Sequence, residues 1–278
     1  MQKENRLPTG AGTKIIKSET PFEYTIYSEG VFIMVNLEQD AKTLQSLIKE
    51  SKKIVFFGGA GVATESGIPD FRSQDGLYHQ KYKYPPETII SAPFFENNPE
   101  EFYRFYKEKR LLLDKKPNAC HYYLAQLEQA GKLSAVVTQN IDGLHQKAGS
   151  KEVIELHGSV HRNYCRDCGR FYSGEFVKES KTLVPHCPRC GGIIKPDVVL
   201  YGECLDENVL TRARIKIEEA DLRIIAGTSL VVYPAAGLVS YFQGKHLVLI
   251  NKDENAPSAG ADVVIHEKVG ELFSLLHV

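Results

Sequence analysis

The stretch IVFFGGAG, residues 54–61, decides the fold, because an uninterrupted apolar run leads directly into a cluster of glycines. Such a run without polar alternation is typical of a strand that is buried on both faces of a parallel sheet. The glycines indicate a tight turn, since glycine adopts backbone conformations that other residues avoid. These residues therefore predict a buried strand that enters a tight turn.

Similar apolar runs recur along the chain and predict further strands at residues 135–138, 153–156, 222–226 and 247–250. Helical patterns fall between most of them, at residues 99–113, 117–130, 206–219 and 234–242. Strands that alternate with helices build parallel sheets with both faces covered. The sequence therefore predicts an α/β fold, a Rossmann-like parallel sheet with helices on both faces.

Apolar residues repeat at intervals of three and four from Leu37 to Ile48, which predicts a helix near the start of the folded part. We expect one folded domain over residues 34–278. The polar residues 1–33 predict a flexible N-terminal extension, with a tethered arm as the alternative. Residues 162–194 carry cysteines and break the alternation of strands and helices, which predicts a small inserted module.

Composition restricts the classes of protein. The 278 residues are 42% hydrophobic and 25% charged with a net charge of -1, as in an ordinary globular protein without the basic surface that nucleic acid requires. The sequence contains no run of about 18 apolar residues, so no membrane span is predicted. The N-terminus lacks the apolar core of a secretory signal. We therefore expect a cytoplasmic monomer without nucleic-acid or membrane partners.

The residues after the glycine turn indicate a ligand. Gly59 and Gly61 match the first two positions of the G-x-G-x-x-G dinucleotide motif, but Thr64 stands in the third position, so a turn without a ligand remains an alternative. The segment SGIPDFR, residues 66–72, follows directly. An arginine and an aromatic ring beside a phosphate-binding turn suit an anionic ligand that carries a flat ring.

A second polar segment, TQNIDGLH at residues 138–145, lies at the carboxyl end of a predicted strand, where open parallel sheets bind ligands. A turn with a helix cap is the alternative for Asn140 and Asp142. His157 follows the predicted strand 153–156 and is expected at the same edge. Its ordinary pKa of about 6.5 suits proton transfer near neutral pH.

Two cysteine pairs predict a metal site. Cys165 and Cys168 form one Cys-x-x-Cys pair, Cys187 and Cys190 form the other, and 18 residues separate them. This spacing is typical of zinc sites. Four thiolates fill a tetrahedral shell and leave no position for water, so we expect one structural zinc ion. Disulfides are the alternative, which a reducing cytosol disfavours.

With these motifs in this order, and with Gly227-Thr228-Ser229 and Asn251 further on, the chain resembles the sirtuin family of NAD-dependent protein deacylases, in its bacterial form. The likeness spans about residue 37 to the C-terminus. It implies NAD as co-substrate. By position it also implies a set of NAD-binding residues, namely Ala60, Thr64, Ile68, Phe71, Arg72, Gln139, Ile141, Asp142, His157, Thr228, Ser229, Asn251, Lys252 and Val269.

The resemblance also implies a reaction. The acyl group moves from a lysine to ADP-ribose as nicotinamide leaves, with His157 as the base, Asn140 orienting water and Phe71 shielding the reactive carbon. A matched segment would pair with the backbone of an acyl-lysine peptide. It comprises Val198, Val199, Tyr201, Gly202 and Glu203, where Tyr201 departs from the usual phenylalanine.

Two other functions stay open at this stage. ADP-ribosyl transfer to protein would use the same activated ribose, and a non-catalytic NAD-binding module would need no base.

The acyl preference rests on the helix predicted at residues 99–113. Sirtuins that prefer acidic acyl groups resemble one another in a Tyr-x-x-Arg pair. Here Lys109 occupies the third place after Tyr106 and Arg110 comes one residue later, about 100° around a helix. We expect Lys109 and Arg110 to be solvated surface charges, and acetyl and other uncharged acyl groups to be the better substrates.

Overall fold

The computed structural model describes residues 14–16, 24–26, 32–34, 37–73, 76–254, 256 and 258–278. Three short strands, β1 (Lys14–Ile16), β2 (Tyr24–Ile26) and β3 (Phe32–Met34), pair antiparallel in the order β1-β2-β3. The rest of the predicted extension lies outside the described residues. Its flexibility therefore stays a prediction.

Six parallel strands form the central sheet, and three antiparallel strands form the cysteine module. The central strands are β4 (Ile54–Gly58), β5 (Leu133–Thr138), β6 (Val153–Glu155), β10 (Leu222–Ala226), β11 (His246–Ile250) and β12 (Val263–Ile265). The module strands are β7 (Gly158–Cys165), β8 (Phe171–Ser173) and β9 (Ile194–Val198). The five predicted strands and the Rossmann-like parallel sheet are confirmed.

The helices are α1 (Leu37–Glu50), α2 (Pro86–Ile89), α3 (Ala92–Asn97), α4 (Pro99–Phe105), α5 (Ala119–Gln129), α6 (Leu144–Ala148), α7 (Gly174–Lys178), α8 (Glu207–Glu218) and α9 (Val269–Ser274). Three 3-10 helices cover Ala60–Ser66, Leu77–His79 and Ala235–Tyr241. The helix predicted over 99–113 differs, because α4 ends at Phe105 and a π turn, Tyr106–Arg110, follows it. In the described part of the chain, no helix combines the length and apolar character needed to cross a membrane.

Strand order places a crevice at the middle of the central sheet. The order is β12-β11-β10-β4-β5-β6, so the chain runs from β4 outward to β6 and later from β10 outward to β12. In parallel sheets, ligands bind beyond the carboxyl ends of the strands where this direction reverses. Gly58 ends β4 and pairs with Ala226, which ends β10. A ligand crevice is therefore expected beyond these two residues.

Alternate side chains of β4 enter two separate cores. Phe56 packs on one face of the sheet in a cluster with α1, α5 and α9. Phe57 packs on the other face in a cluster with α8 and the 3-10 helix Ala235–Tyr241. Both rings are fully buried. This two-sided burial explains why β4 is a continuous apolar run.

A pair of histidines is buried between α5 and α6. The rings of His121 and His145 lie 4.6 Å apart, with exposed fractions of 0% and 1%. Both ring nitrogens of His145 lack a hydrogen-bond partner. Burial lowers the pKa of His121 to about 4 and holds the pKa of His145 well below 6.5, where the nearby His121 lowers it further. Both rings are therefore neutral in the folded protein near pH 7.

Acidification below about pH 6.5 is expected to destabilise the protein through these two rings. The unfolded chain binds protons there at the ordinary pKa of about 6.5, while the folded chain does not, so the free energy of unfolding falls as the pH falls. Each ring contributes up to about 1.4 kcal/mol per pH unit. Urea unfolding at pH 7.5 and 5.5 measures this slope. His145→Leu should make the dependence of the free energy of unfolding on pH shallower. The control variant His277→Ala, which changes an exposed histidine near the C-terminus, should leave that dependence unchanged. Identical slopes for His145→Leu and wild type would contradict the assignment.

Candidate active site

Two glycine loops meet beyond the ends of β4 and β10. The amide of Gly61 donates to the carbonyl of Gly227 at 2.8 Å. A Cβ atom built on Gly61 would lie 2.7 Å from the Cα of Gly227, and one on Gly59 would lie 2.7 Å from the Cβ of Thr228. These glycines therefore allow one loop to approach the other. The close contact between the loops is therefore a second reason why glycine occupies these positions, besides the approach of a phosphate.

Gly61→Ala is expected to destabilise the protein and weaken NAD binding together, because the added methyl group meets backbone rather than a flexible side chain. Forced repacking of this kind costs about 1–3 kcal/mol. Urea unfolding and the KM for NAD measure the two effects. Gly237→Ala is the matched control, since its Cβ would meet only ordinary contacts to Tyr233 at 3.7 Å. Unchanged stability of Gly61→Ala would show that the loops can separate freely.

A cavity of about 790 Å³ opens at this switch point. Most of the predicted NAD-binding and catalytic residues line it, namely Ala60, Thr64, Phe71, Arg72, Gln139, Asn140, Ile141, His157, Thr228, Ser229, Asn251, Lys252 and Val269. The predicted peptide-pairing residues Val198, Val199, Tyr201 and Gly202 line it as well, with Glu203. The structure therefore brings both predicted sets into one cleft.

Two predicted residues lie outside the lining of this cavity. Ile68 is 8% exposed and packs in a small cluster with Ala63 and Leu144. Asp142 accepts the Leu144 amide at 2.9 Å and lies one residue before Gly143, the N-cap of α6. Burial raises the pKa of the Asp142 carboxyl above its ordinary value, while that hydrogen bond lowers it. Their contacts with the nicotinamide end of NAD stay a prediction.

Polar contacts tie the loops of the nucleotide end together. Arg72 Nη1 donates to Ser229 Oγ at 2.9 Å, and Gln139 Nε2 donates to Thr228 Oγ1 at 3.2 Å. The Asn251 side-chain amide donates to the Thr228 carbonyl at 3.0 Å. The loops after β4, β5, β10 and β11 are thereby held at one edge of the sheet.

His157 lies between β6 and β7 with a defined proton arrangement. Its Nδ1 lies 3.0 Å from the carbonyl oxygen of Gln139. A carbonyl can only accept, so Nδ1 carries the proton and Nε2 keeps its lone pair. Burial lowers the pKa of His157 below 6.5, although the Gln139 hydrogen bond opposes this. The imidazole is therefore neutral at pH 7 and can accept a proton.

Asn140 presents an unsatisfied amide in the same cleft. The side chain is 8% exposed, and its Nδ2 atom has no hydrogen-bond partner. Its backbone amide donates to Thr138 Oγ1 at 3.0 Å. A buried polar group without a partner is costly, so an orphaned amide that lines a cavity indicates a ligand or a water at that point.

The segment after β9 is anchored from both sides of the cleft. The Val199 amide donates to the His157 carbonyl at 3.1 Å, and the Tyr201 amide donates to the Ile90 carbonyl at 3.0 Å. Glu203 accepts the Leu200 amide at 2.8 Å. The hydroxyl of Tyr201 also lies 3.3 Å from that of Tyr78. His157 and the predicted peptide-pairing segment are therefore joined by one backbone hydrogen bond.

The expectation that Arg110 is a solvated surface charge is wrong. Arg110 lines the cleft, and its guanidinium carbon lies 4.7 Å above the ring centre of Phe71. The π turn causes the difference, because an i→i+5 turn directs side chains differently from the α-helix that the sequence predicted. Lys109 forms an ion pair with Glu108 at 2.9 Å and does not line the cleft.

Sequence reasoning missed other residues of the cleft. Tyr78 lines it and packs against Phe71 with ring centres 5.4 Å apart. Tyr106 and Phe102 also line it, from the π turn and α4. Both were predicted only as residues of the helix at 99–113, where Tyr106 was compared with the Tyr-x-x-Arg pair. No motif in the sequence signals Tyr78.

The four predicted zinc ligands converge. Their sulfur atoms all lie within 4.8 Å of one another, with Cys165 and Cys190 3.3 Å apart and Cys168 and Cys187 3.7 Å apart. A tetrahedral zinc with Zn–S bonds of about 2.3 Å needs sulfur atoms about 3.8 Å apart, which this cluster can meet. Gly169 and Gly191 have φ of 69° and 81°, so both turns need glycine. The cluster fits one closed structural zinc ion.

Comparison with known proteins identifies the family. Residues 59–234 match the Sir2 family. An NAD-dependent protein deacetylase of Clostridium acetobutylicum is 57% identical over 231 residues, which cover 82% of this chain and 94% of that protein. A solved structure of Sir2 with a p53 peptide and NAD+ is 42% identical, with a TM-score of 0.73 and coverage of 84% of this chain and 95% of that one. A Sir2 variant with deacetylated p53 peptide and 3'-O-acetyl ADP ribose has the same identity, a TM-score of 0.77 and coverage of 84% and 96%.

The fold and the cleft define a dinucleotide-binding α/β protein with a four-cysteine zinc module. The chain belongs to the Sir2 family. The resemblance to the sirtuins drawn from the sequence is thus confirmed.

Proposed function

We propose that the chain is an NAD-dependent protein-lysine deacetylase, which transfers the acyl group of a lysine to ADP-ribose and releases nicotinamide. The observation that carries the proposal is the neutral imidazole of His157, whose Nε2 atom keeps its lone pair. His157 lines the same cleft as the predicted NAD-binding and peptide-pairing residues. The relatives and solved neighbours described above bear this name or hold such peptides and products. The alternative of a protein mono-ADP-ribosyltransferase uses the same NAD site.

The reaction balances with NAD as a substrate. The bond between nicotinamide and ribose breaks, and the acyl oxygen of the lysine amide bonds to the ribose carbon. His157 Nε2 then removes a proton from a ribose hydroxyl, whose oxygen attacks the acyl carbon. Water completes the release of free lysine, and the acyl group remains on ADP-ribose.

Other residues of the cleft position these groups. The Asn140 amide would hold a water or a hydroxyl, which is supported by its lack of a hydrogen-bond partner among the described residues. Phe71 forms an apolar wall that keeps bulk water away from the ribose carbon. The segment from Val198 to Gly202 would pair with the peptide backbone as an added strand, so specificity would rest mainly on the acyl-lysine.

One incubation separates the candidate activities. The protein is mixed with NAD and an acetyl-lysine peptide, nicotinamide is measured by chromatography, and the peptide is weighed by mass spectrometry. We expect nicotinamide release that requires the acetyl-peptide, together with loss of the acetyl group. A peptide that gains the mass of ADP-ribose would favour the transferase. Nicotinamide release at the same rate with and without the peptide would contradict both the deacetylase and the transferase. The cytoplasmic location and the monomeric state remain predictions.

A further inference from the structure

The 3-10 helix Ala60–Ser66 carries the first residues of the predicted NAD site. Ala60, Gly61 and Thr64 all line the cleft. This helix is seven residues long, whereas 3-10 helices rarely exceed about three or four residues because their hydrogen bonds have poor geometry. A 3-10 helix of this length therefore needs contacts from other parts of the chain to keep its shape.

Asn118 provides such contacts from the start of α5. Its side-chain Nδ2 donates to the Val62 carbonyl at 2.8 Å and to Ser66 Oγ at 3.1 Å. An amide nitrogen carries two hydrogens, so both bonds can form at once. One bond reaches the first half of the 3-10 helix and the other reaches its last residue. Asn118 therefore holds more than one turn of this helix.

The orientation of the Asn118 amide is fixed by partners that each have only one possible role. Its Oδ1 accepts the backbone amide of Cys120 at 3.1 Å and thereby caps α5. A backbone amide can only donate, and a carbonyl such as that of Val62 can only accept. A flipped side chain would place donor against donor and acceptor against acceptor. The oxygen therefore faces α5, and the nitrogen faces the 3-10 helix.

Asn118 does not itself line the cleft. Any effect that it has on NAD would therefore pass through the 3-10 helix, which makes it a positioning residue. The helix also has other contacts, since the Gly61 amide donates to the Gly227 carbonyl and the Glu65 carboxylate accepts the Glu271 amide at 2.9 Å. Loss of the two Asn118 bonds should accordingly loosen the 3-10 helix without unfolding the protein.

We propose that Asn118 positions the 3-10 helix Ala60–Ser66 for NAD, so that this part of the site is formed before the co-substrate arrives. The proposal rests on the NAD site of the proposed function and adds a residue to it. When the conformation that binds a ligand is only partly populated, the apparent Kd rises in proportion to the missing fraction. Removal of the two hydrogen bonds therefore raises the Kd for NAD.

Asn118→Ser tests this role while α5 keeps a cap. Serine caps helices about as well as asparagine, but its side chain is shorter by one bond and has no amide to reach Val62. The Kd for NAD is measured by calorimetry without any peptide. We expect it to rise by about 5- to 100-fold, because each of the two lost hydrogen bonds contributes a factor of about 2 to 12.

Turnover and hydrogen exchange separate positioning from catalysis. At saturating NAD, the kcat of Asn118→Ser and its KM for an acetyl-lysine peptide should stay close to those of the wild type, because bound NAD selects the ordered helix. Backbone amides of residues 59–67 should exchange faster in this variant than in the wild type. Added NAD should slow that exchange again.

Two further variants assign the effect. Ser66→Ala removes one of the two acceptors and leaves the cap of α5 in place, so it should raise the Kd for NAD by a smaller factor. Asn97→Ser is the matched control, because Asn97 Nδ2 donates to the Pro93 carbonyl at 2.7 Å and its side chain does not line the cleft. Its Kd for NAD should equal that of the wild type.

An unchanged Kd for NAD in Asn118→Ser would overturn the proposal, and so would an equal rise in Asn97→Ser. A fall in kcat at saturating NAD with an unchanged Kd would also overturn it, since Asn118 would then act on the chemical step. If the wild-type protein binds NAD but turns over no acetyl-peptide, the deacetylase function fails, whereas the dissociation constants still decide the role of Asn118.

Discussion

His157→Ala is expected to lower kcat/KM for NAD-dependent deacetylation by about 10²- to 10⁴-fold, the range that a positioned general base contributes. The reason is geometric, since the Gln139 carbonyl holds the proton on Nδ1 and leaves Nε2 as the acceptor within the cleft. The change removes a half-buried side chain at the end of β6 and no zinc ligand. Melting temperature and zinc content should therefore stay close to those of the wild type. The rate is measured from free peptide by mass spectrometry.

The pH profile provides a second test of the same base. Burial lowers the pKa of His157, so the wild-type kcat/KM should rise with pH through a midpoint below 6.5 and stay level above it, as the neutral form accumulates. His277→Ala, a substitution near the C-terminus and away from the cleft, should keep this profile. An alanine variant that retains most of the wild-type turnover, or a limb centred above pH 7, would remove His157 from the role of base.

The strands were predictable because burial on both faces leaves an unambiguous pattern. The runs at 54–57 and 222–226 correspond to β4 and β10, and their glycine loops meet at the switch point. The position of His157 directly after a predicted strand correctly predicted that it lies at the carboxyl edge of the sheet, where it lines the cleft. Strand β12, Val263–Ile265, was not among the predicted strands.

Residues of the site that directly follow a strand could be predicted from the sequence. Residues whose side-chain direction depends on the type of turn could not. Arg110 shows why, since an i→i+5 turn and an i→i+4 turn carry no distinct sequence signal, yet they direct the same residue to different places. Ile68 and Asp142 were placed by resemblance, and a cavity lined by other residues does not test them. The direction of Arg110 could thus not be predicted from the sequence, whereas the strand order predicts the edge of the sheet at which the ligand crevice lies.

The zinc module connects to the predicted base at one end and to the predicted peptide-pairing segment at the other. Strand β7 begins at Gly158, directly after His157, and β9 ends at Val198, where the predicted peptide-pairing segment begins. Gly158 pairs with Val198 across the two strands. A Cβ on Gly158 would also collide with the Asp197 carbonyl oxygen, so the strands are in close contact there. The module therefore fixes His157 relative to the predicted peptide-pairing segment.

Removal of zinc is expected to unfold this module and abolish deacetylation together, although the metal has no open coordination position for chemistry. Structural zinc binding contributes about 10–16 kcal/mol in small zinc-binding peptides, which is as large as the whole stability of a typical domain. We expect chelation, or Cys165→Ser with Cys168→Ser, to lower the melting temperature by more than about 10 °C, since each kcal/mol shifts it by about 2–4 °C in a domain of similar size. Added zinc should restore both stability and activity to the chelated protein.

Cys204→Ser is the control, because that exposed thiol lies outside the cluster. Chelated protein that keeps its melting temperature, or that loses activity while the module stays folded, would assign the four cysteines a different role.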